Sequence, residues 1–227
     1  MNARLKSLIT EIVPPVALRG VIALFARGRR PGNQVEQPGE KGADWYDASF
    51  DASGTGARHY TESEYYFLWS VIVDRIQTAA ARSILEIGCG TGQLARLIQD
   101  NVACRYIGFD FSQTRVEFAR KAYPDLSFVQ QDAFQTDLFT TCDYDTVVCT
   151  EFLEHVEEDR AVLNKIRKGA RFYGTVPNFG FTSHVRHFNN RDEVRSRYAG
   201  CFRDLRIDRF LADGKGKAFY LLDGEIR

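Results

Sequence analysis

The chain has 227 residues, 44% apolar and 26% charged, enough for one substantial core and too apolar for a disordered chain. Thirty basic side chains balance thirty acidic ones, which excludes a polyelectrolyte built as a whole for nucleic acid. No apolar run of about 18 residues is present to cross a bilayer. Five cysteines without C-x-x-C spacing form neither a disulfide framework nor a zinc ribbon, so a reducing, cytoplasmic setting is expected.

Charge is uneven. Residues 1–30 carry Arg4, Lys6, Arg19, Arg27, Arg29 and Arg30 against Glu11 alone, a net of +5, which leaves −5 on the rest. Apolar residues interleave with this charge, and Pro14-Pro15 splits the stretch into two short amphipathic pieces. Such a basic segment can lie on an anionic membrane surface, so peripheral membrane contact is one expectation; packing on the domain or docking to a partner is the other. Residues 31–60 read as a lid-like loop, rich in glycine and proline but carrying Trp45, Tyr46 and Phe50. Aromatic side chains are costly to leave in water, so this piece is expected to fold over a ligand or across the core.

Residues 61–227 read as the main domain. Thr61-x-x-Glu64 has the form of a capping box before a helix running to about residue 80. Strand-like segments follow at 83–87, 106–109, 126–130, 146–150 and 171–176. Helical segments are expected at 93–100, 113–122, 159–168 and 191–198. This alternation predicts an α/β fold: a Rossmann-like, mostly parallel sheet with helices on both faces. Two further strands, 205–211 and 218–222, have no helix between them and bring the count to seven. That last pair is expected to be antiparallel.

The first strand runs into Glu86-Ile87-Gly88-Cys89-Gly90-Thr91-Gly92. Glycines at alternate positions allow a sharp turn and close approach of a ligand, at the point where such sheets bind cofactors. Glu86 suits an ammonium-bearing ligand rather than a pyrophosphate. Asp110 closes the second strand, where a carboxylate can accept both hydroxyls of a ribose. Asp132 closes the third, where it could accept from an exocyclic amine. As a set, these residues resemble the class I S-adenosylmethionine-dependent methyltransferases. The resemblance implies that Glu86, Gly88, Gly90 and Gly92 cradle the methionine part of S-adenosylmethionine, Asp110 the ribose and Asp132 the adenine. It extends the cofactor set to Tyr60, Cys89, Phe111, Ala133 and Thr150. A dinucleotide dehydrogenase is disfavoured, because the spacing is G-x-G-x-G.

The fourth strand ends in Thr150-Glu151-Phe152-Leu153-Glu154-His155, which places Glu151, Glu154 and His155 on one face of an expected helix. After the fifth strand, Val176-Pro177-Asn178 opens a loop with His184, Arg186 and His187. Two carboxylates and imidazoles suit Mg²⁺ or Mn²⁺. This pattern is similar to O-methyltransferases of ubiquinone synthesis, methyltransferases of glycan gene clusters, and small-RNA 2′-O-methyltransferases. The resemblance implies a metal set of Glu151, Glu154, His155 and His184, with His155 and His187 as catalytic candidates. Three readings of this segment stand: a metal site, His155 as general base without metal, or no direct chemical role. His184, His187 and Arg186 are also candidate substrate contacts.

The expected acceptor is the hydroxyl of a small molecule or glycan, with a lipid-linked sugar as one form; Trp45, Tyr46, His59 and Tyr60 could stack on a polar ring. An RNA acceptor would call for a basic catalytic domain, whereas residues 31–227 are net acidic, which argues against nucleic acid. A non-catalytic binding module would lack donor-binding carboxylates or glycines, and all are present.

Overall fold

The computed structural model describes residues 37–227. The expected amphipathic segment 1–30 and the first residues of the lid-like stretch lie outside the described residues.

The described chain begins with a short helix, α1 (Ala43–Ser49), and two 3₁₀ turns, Thr55–Ala57 and Tyr60–Glu62, then α2 (Tyr66–Thr78). A strand–helix alternation follows: β1 (Ser83–Ile87), α3 (Gln93–Asn101), β2 (Arg105–Asp110), α4 (Gln113–Ala122), β3 (Ser127–Gln130), α5 (Leu138–Thr141), β4 (Thr146–Cys149), α6 (Asp159–Leu163) and β5 (Arg171–Pro177). The chain closes with α7 (Arg191–Tyr198) and a hairpin of β6 (Phe202–Leu211) and β7 (Ala218–Ile226). The seven strands lie in the order β3-β2-β1-β4-β5-β7-β6. The first five are parallel, and β7 runs antiparallel to both β5 and β6.

Burial on both faces explains the continuous apolar runs of the central strands. In β1, Ile84 faces a core built with Leu68, Ile72 and Ile76 of α2 and Leu94, Leu97 and Ile98 of α3. Its neighbours Leu85 and Ile87 face the opposite core, with Val162, Val194 and Tyr198. The edge strand β6 instead exposes Arg203 and Asp204, charges that blunt an open sheet edge.

Several local expectations are corrected. The capping box at Thr61 does not form: residues Tyr60–Glu62 make a 3₁₀ turn, and the Thr61 hydroxyl pairs with His59 Nδ1 at 2.9 Å. The following helix begins only at Tyr66, after a turn in which the Ser63 hydroxyl accepts from the Tyr65 N–H at 3.2 Å. The helix expected over 159–168 ends at Leu163; the Arg167 N–H is taken by the Tyr144 hydroxyl at 2.8 Å, and Gly169 turns the chain at φ +83°. Glu151, Glu154 and His155 do not share a helix face, since residues 151–157 form bends and turns starting from Glu151 at φ +51°. Helices α1 and α5 were not expected.

Candidate active site

Glu86 lies at the carboxyl end of β1, directly beside Gly108 of β2. The glycine turn that follows holds Gly88, Gly90 and Gly92 at φ +72°, +52° and +80°, all left-handed. A Cβ on Gly92 would stand 2.7 Å from the Phe128 ring, so the turn accepts no larger residue there without repacking. Above this turn, at the carboxyl ends of the parallel strands, opens a cavity of about 630 Å³.

The strand-end carboxylates are held by defined partners. Glu86 is buried and accepts a hydrogen bond from the Tyr106 hydroxyl; burial outweighs that bond and pushes its carboxyl up to about 8. Asp110 accepts backbone N–H bonds from Gly90 and Ser112, both at 2.9 Å. Burial still raises its pKa, against those bonds and nearby Arg115. Each Asp110 oxygen keeps a second acceptor direction for a ligand hydroxyl. Asp132 accepts from the Phe134 N–H at 2.7 Å and faces the same cavity.

The lid-like stretch crosses this turn and is tied down on both sides. Asp47 of α1 accepts from the Ser112 hydroxyl at 2.5 Å and the Thr114 N–H at 3.1 Å, which caps α4. On the other side the Thr91 hydroxyl donates to Gly56, and the Gln93 amide donates to Thr55 and Arg58. Between these ties Tyr46 lines the cavity. Its ring meets Phe111 at 5.2 Å and His155 at 6.0 Å, with the Arg115 guanidinium 5.3 Å above it.

The opposite wall comes from β4 and β5. The Glu151 N–H donates to the Thr175 hydroxyl at 3.0 Å, and that hydroxyl donates back to Glu151 Oε1 at 2.9 Å. Burial pushes the Glu151 carboxyl up to about 7, and Glu154 is raised further by burial and by Glu151 beside it. Glu154 is fully buried, and neither carboxylate oxygen has a hydrogen-bond partner. Ligand atoms of Glu154, His155 and His184 lie within 4.8 Å of one another. His155 Nδ1 faces the Ser183 carbonyl at 2.9 Å and His184 Nδ1 faces the Phe179 carbonyl at 3.1 Å. Those carbonyls require N–H at Nδ1 and leave Nε2 as a lone pair, the second-sphere arrangement of metal-binding histidines. Burial lowers both histidine pKa values, that of His155 to about 4. Orphaned carboxylate oxygens beside two neutral imidazoles therefore fit a divalent cation.

Of the residues singled out in the sequence, Glu86, Gly88, Cys89, Gly90, Asp110, Phe111, Asp132, Ala133, Thr150, Glu151 and His155 line one cavity. Gly92 shapes the turn from behind it. Tyr60 is placed elsewhere, its hydroxyl donating to Asp100 at 2.9 Å. His59 is exposed, and His187 is exposed and outside the cavity lining. Glu151, held by Thr175, lies beside Glu154 but is not among the ligand atoms that cluster with His155 and His184. Arg186, a candidate substrate contact, points inward to backbone carbonyls instead. Arg115, Trp69 and Phe181 line the cavity without a motif to announce them; they reach it from α4, α2 and the β5–α7 loop.

A seven-stranded sheet in this order, with a glycine turn and acids at the ends of its first three strands, defines a Rossmann-like α/β domain. Residues 84–172 match the family model described as a methyltransferase domain. That match supports a class I S-adenosylmethionine-dependent methyltransferase domain over this part of the chain. It is 31% identical over 123 residues to a probable S-adenosylmethionine-dependent methyltransferase of Mycolicibacterium smegmatis, covering 52% of this chain and 47% of that one. It is 29% identical over 106 residues to an O-methyltransferase of Pyrenophora dematioidea, covering 44% and 39%. The chain thus spans about half or less of the length of these relatives. In fold it is similar to the N-methyltransferase NodS of Bradyrhizobium japonicum WM9, solved with S-adenosylhomocysteine. That match has a TM-score of 0.62 at 14% identity and covers 80% of this chain and 95% of that one.

Proposed function

We propose that this domain transfers the methyl group of S-adenosylmethionine to a hydroxyl of a small-molecule or glycan acceptor. One observation carries the reading: the donor-binding acids Glu86 and Asp110 line the same cavity as Glu151 and His155, so donor and acceptor sides share one cleft. Asp110 holds the ribose, Asp132 the adenine amine, and Glu86 the ammonium of the methionine part. The donor supplies an electrophilic methyl carbon on sulfur. The residues of the chain align the acceptor with it, and alignment alone supplies much of the acceleration in such displacements.

A hydroxyl nucleophile must also lose its proton. Glu154, His155 and His184 would hold a Mg²⁺ or Mn²⁺ ion, whose charge lowers the pKa of a bound hydroxyl. The similarity to a fungal O-methyltransferase supports a hydroxyl acceptor. The net acidic charge of the domain supports a small polar acceptor over a nucleic acid.

The test is calorimetric titration of S-adenosylmethionine and S-adenosylhomocysteine, with and without Mn²⁺. A screen of sugar and phenolic hydroxyls with labelled methyl donor follows, in the presence and absence of chelator. Expected are donor binding lost in Asp110→Ala and chelator-sensitive transfer. A folded protein that binds neither compound sinks the reading.

A further inference from the structure

Residues 151–157 present Glu154 and His155 without being a helix, so their carbonyls lack the i to i+4 partners that a helix supplies. One side chain replaces them. Arg186, only 12% exposed, donates to the carbonyls of Leu153 at 2.6 Å, Val156, and Glu157 at 2.8 Å. Behind it stands Asp159, fully buried, 3.2 Å from the same guanidinium and paired through both oxygens with Arg197 at 2.7 Å. The Tyr198 hydroxyl also donates to Asp159, at 2.7 Å, so its carboxylate is fixed from three sides. The neighbouring Val185 N–H donates to the Glu154 carbonyl at 2.8 Å, and the Ser183 carbonyl accepts from His155. Every one of these links joins the segment carrying Glu154 and His155 to the loop or helix beyond β5, which carries His184.

We infer that Arg186, backed by Asp159, is the positioning residue of the Glu154–His155–His184 centre: it holds two ligand-bearing segments in register for a divalent cation. The inference rests on the metal reading above. A planar guanidinium with five donors in a fixed fork can serve three carbonyls and a carboxylate together. A lysine ammonium at this position has only three donors on a flexible stem. Arg186→Lys keeps the charge and loses the fork, which makes it the informative substitution.

The experiment follows Co²⁺ binding to the full chain by its visible absorption, in the wild type, Arg186→Lys, Arg186→Gln and Arg186→Gly. S-adenosylhomocysteine affinity and thermal melting are recorded alongside. Expected is a tenfold or greater loss of Co²⁺ affinity in all three variants, in the range typical of second-sphere metal partners. S-adenosylhomocysteine affinity stays within about twofold, because the donor acids lie on β1, β2 and β3. Added methylguanidinium restores Co²⁺ binding to Arg186→Gly. If a folded Arg186→Lys binds Co²⁺ as tightly as the wild type, the positioning role is overturned. Equal losses of Co²⁺ and S-adenosylhomocysteine binding, without rescue, reduce Arg186 to general scaffolding and overturn it too. A wild type that binds no Co²⁺ removes the metal reading itself, and the inference falls with it.

Discussion

The Tyr106 hydroxyl donates to the Glu86 carboxylate across Gly108, the residue that stands beside Glu86 in the neighbouring strand. A side chain at position 108 would collide with that hydroxyl and with the Cβ of Cys89. The missing side chain thus creates the space in which a donor-binding acid receives its partner.

Gly108→Ala is expected to destabilise the fold by about 1–3 kcal/mol, the usual cost of overpacking a tight core. It should also weaken S-adenosylhomocysteine binding, because Tyr106 is pushed off Glu86. Urea unfolding and calorimetry measure the two effects. A variant with unchanged melting and affinity would show that the strand shifts to make room.

Glu86 gives a pH dependence whose sign follows from its raised pKa. The native carboxyl keeps its proton up to about pH 8, whereas an ordinary glutamate releases it near 4.5. Across that window the folded state binds more protons than the unfolded one, so rising pH costs stability. In Glu86→Gln this contribution is absent, and stability falls less steeply with pH. Urea midpoints across the window decide it: parallel curves for the two proteins count against a protonated native Glu86. In the wild type, binding an ammonium-bearing ligand favours the carboxylate and releases a proton. Binding heats near neutral pH should therefore differ between buffers of high and low ionisation enthalpy.

Asp110→Asn keeps the shape of the ribose contact and removes its charge. Hydrogen bonds to a charged group contribute about 1.5–3 kcal/mol, so donor affinity should drop roughly 10- to 100-fold. Isothermal titration with S-adenosylhomocysteine checks the value. Little change would place the ribose elsewhere in the cavity.

At the far side of the sheet, Asp223 is buried between Arg75, at 3.1 Å, and Arg171. Asp223→Ala leaves Arg75 with Asp208 at 2.6 Å but removes the ion-pair partner of the partly exposed Arg171, and is expected to cost about 1–3 kcal/mol. Donor affinity of the folded fraction should not change, since none of these residues lines the donor cavity. Chemical denaturation gives the stability loss.

The fold and the gathering of the glycine turn and strand-end acids at one sheet edge were legible in the sequence because both depend on local patterns. Apolar runs of strand length, helical periodicity and turn glycines lie within a few residues of one another, and β1 and α4 match their expected bounds. Glu86, Asp110 and Asp132 also sit at strand ends, so finding the strands found the acids that line the cavity. Helix positions near the acceptor side were misread for the same reason: spacing alone put Glu151, Glu154 and His155 on a helix face. Tertiary contacts hold that segment otherwise. Thr175 clamps Glu151, and Arg186 supplies the partners that helical hydrogen bonding would have provided.

The sequence by itself determined that this chain builds a mostly parallel α/β sheet with a glycine turn after its first strand and acids at the ends of its first three. Only the tertiary structure decided which groups meet over the turn. Tyr46 reaches His155 from α1, and His184 joins Glu154 from the far side of β5. Buried polar groups take whichever partner the packed chain brings near, because leaving them unpaired away from water is costly. That choice is made across dozens of residues, where no local pattern can record it.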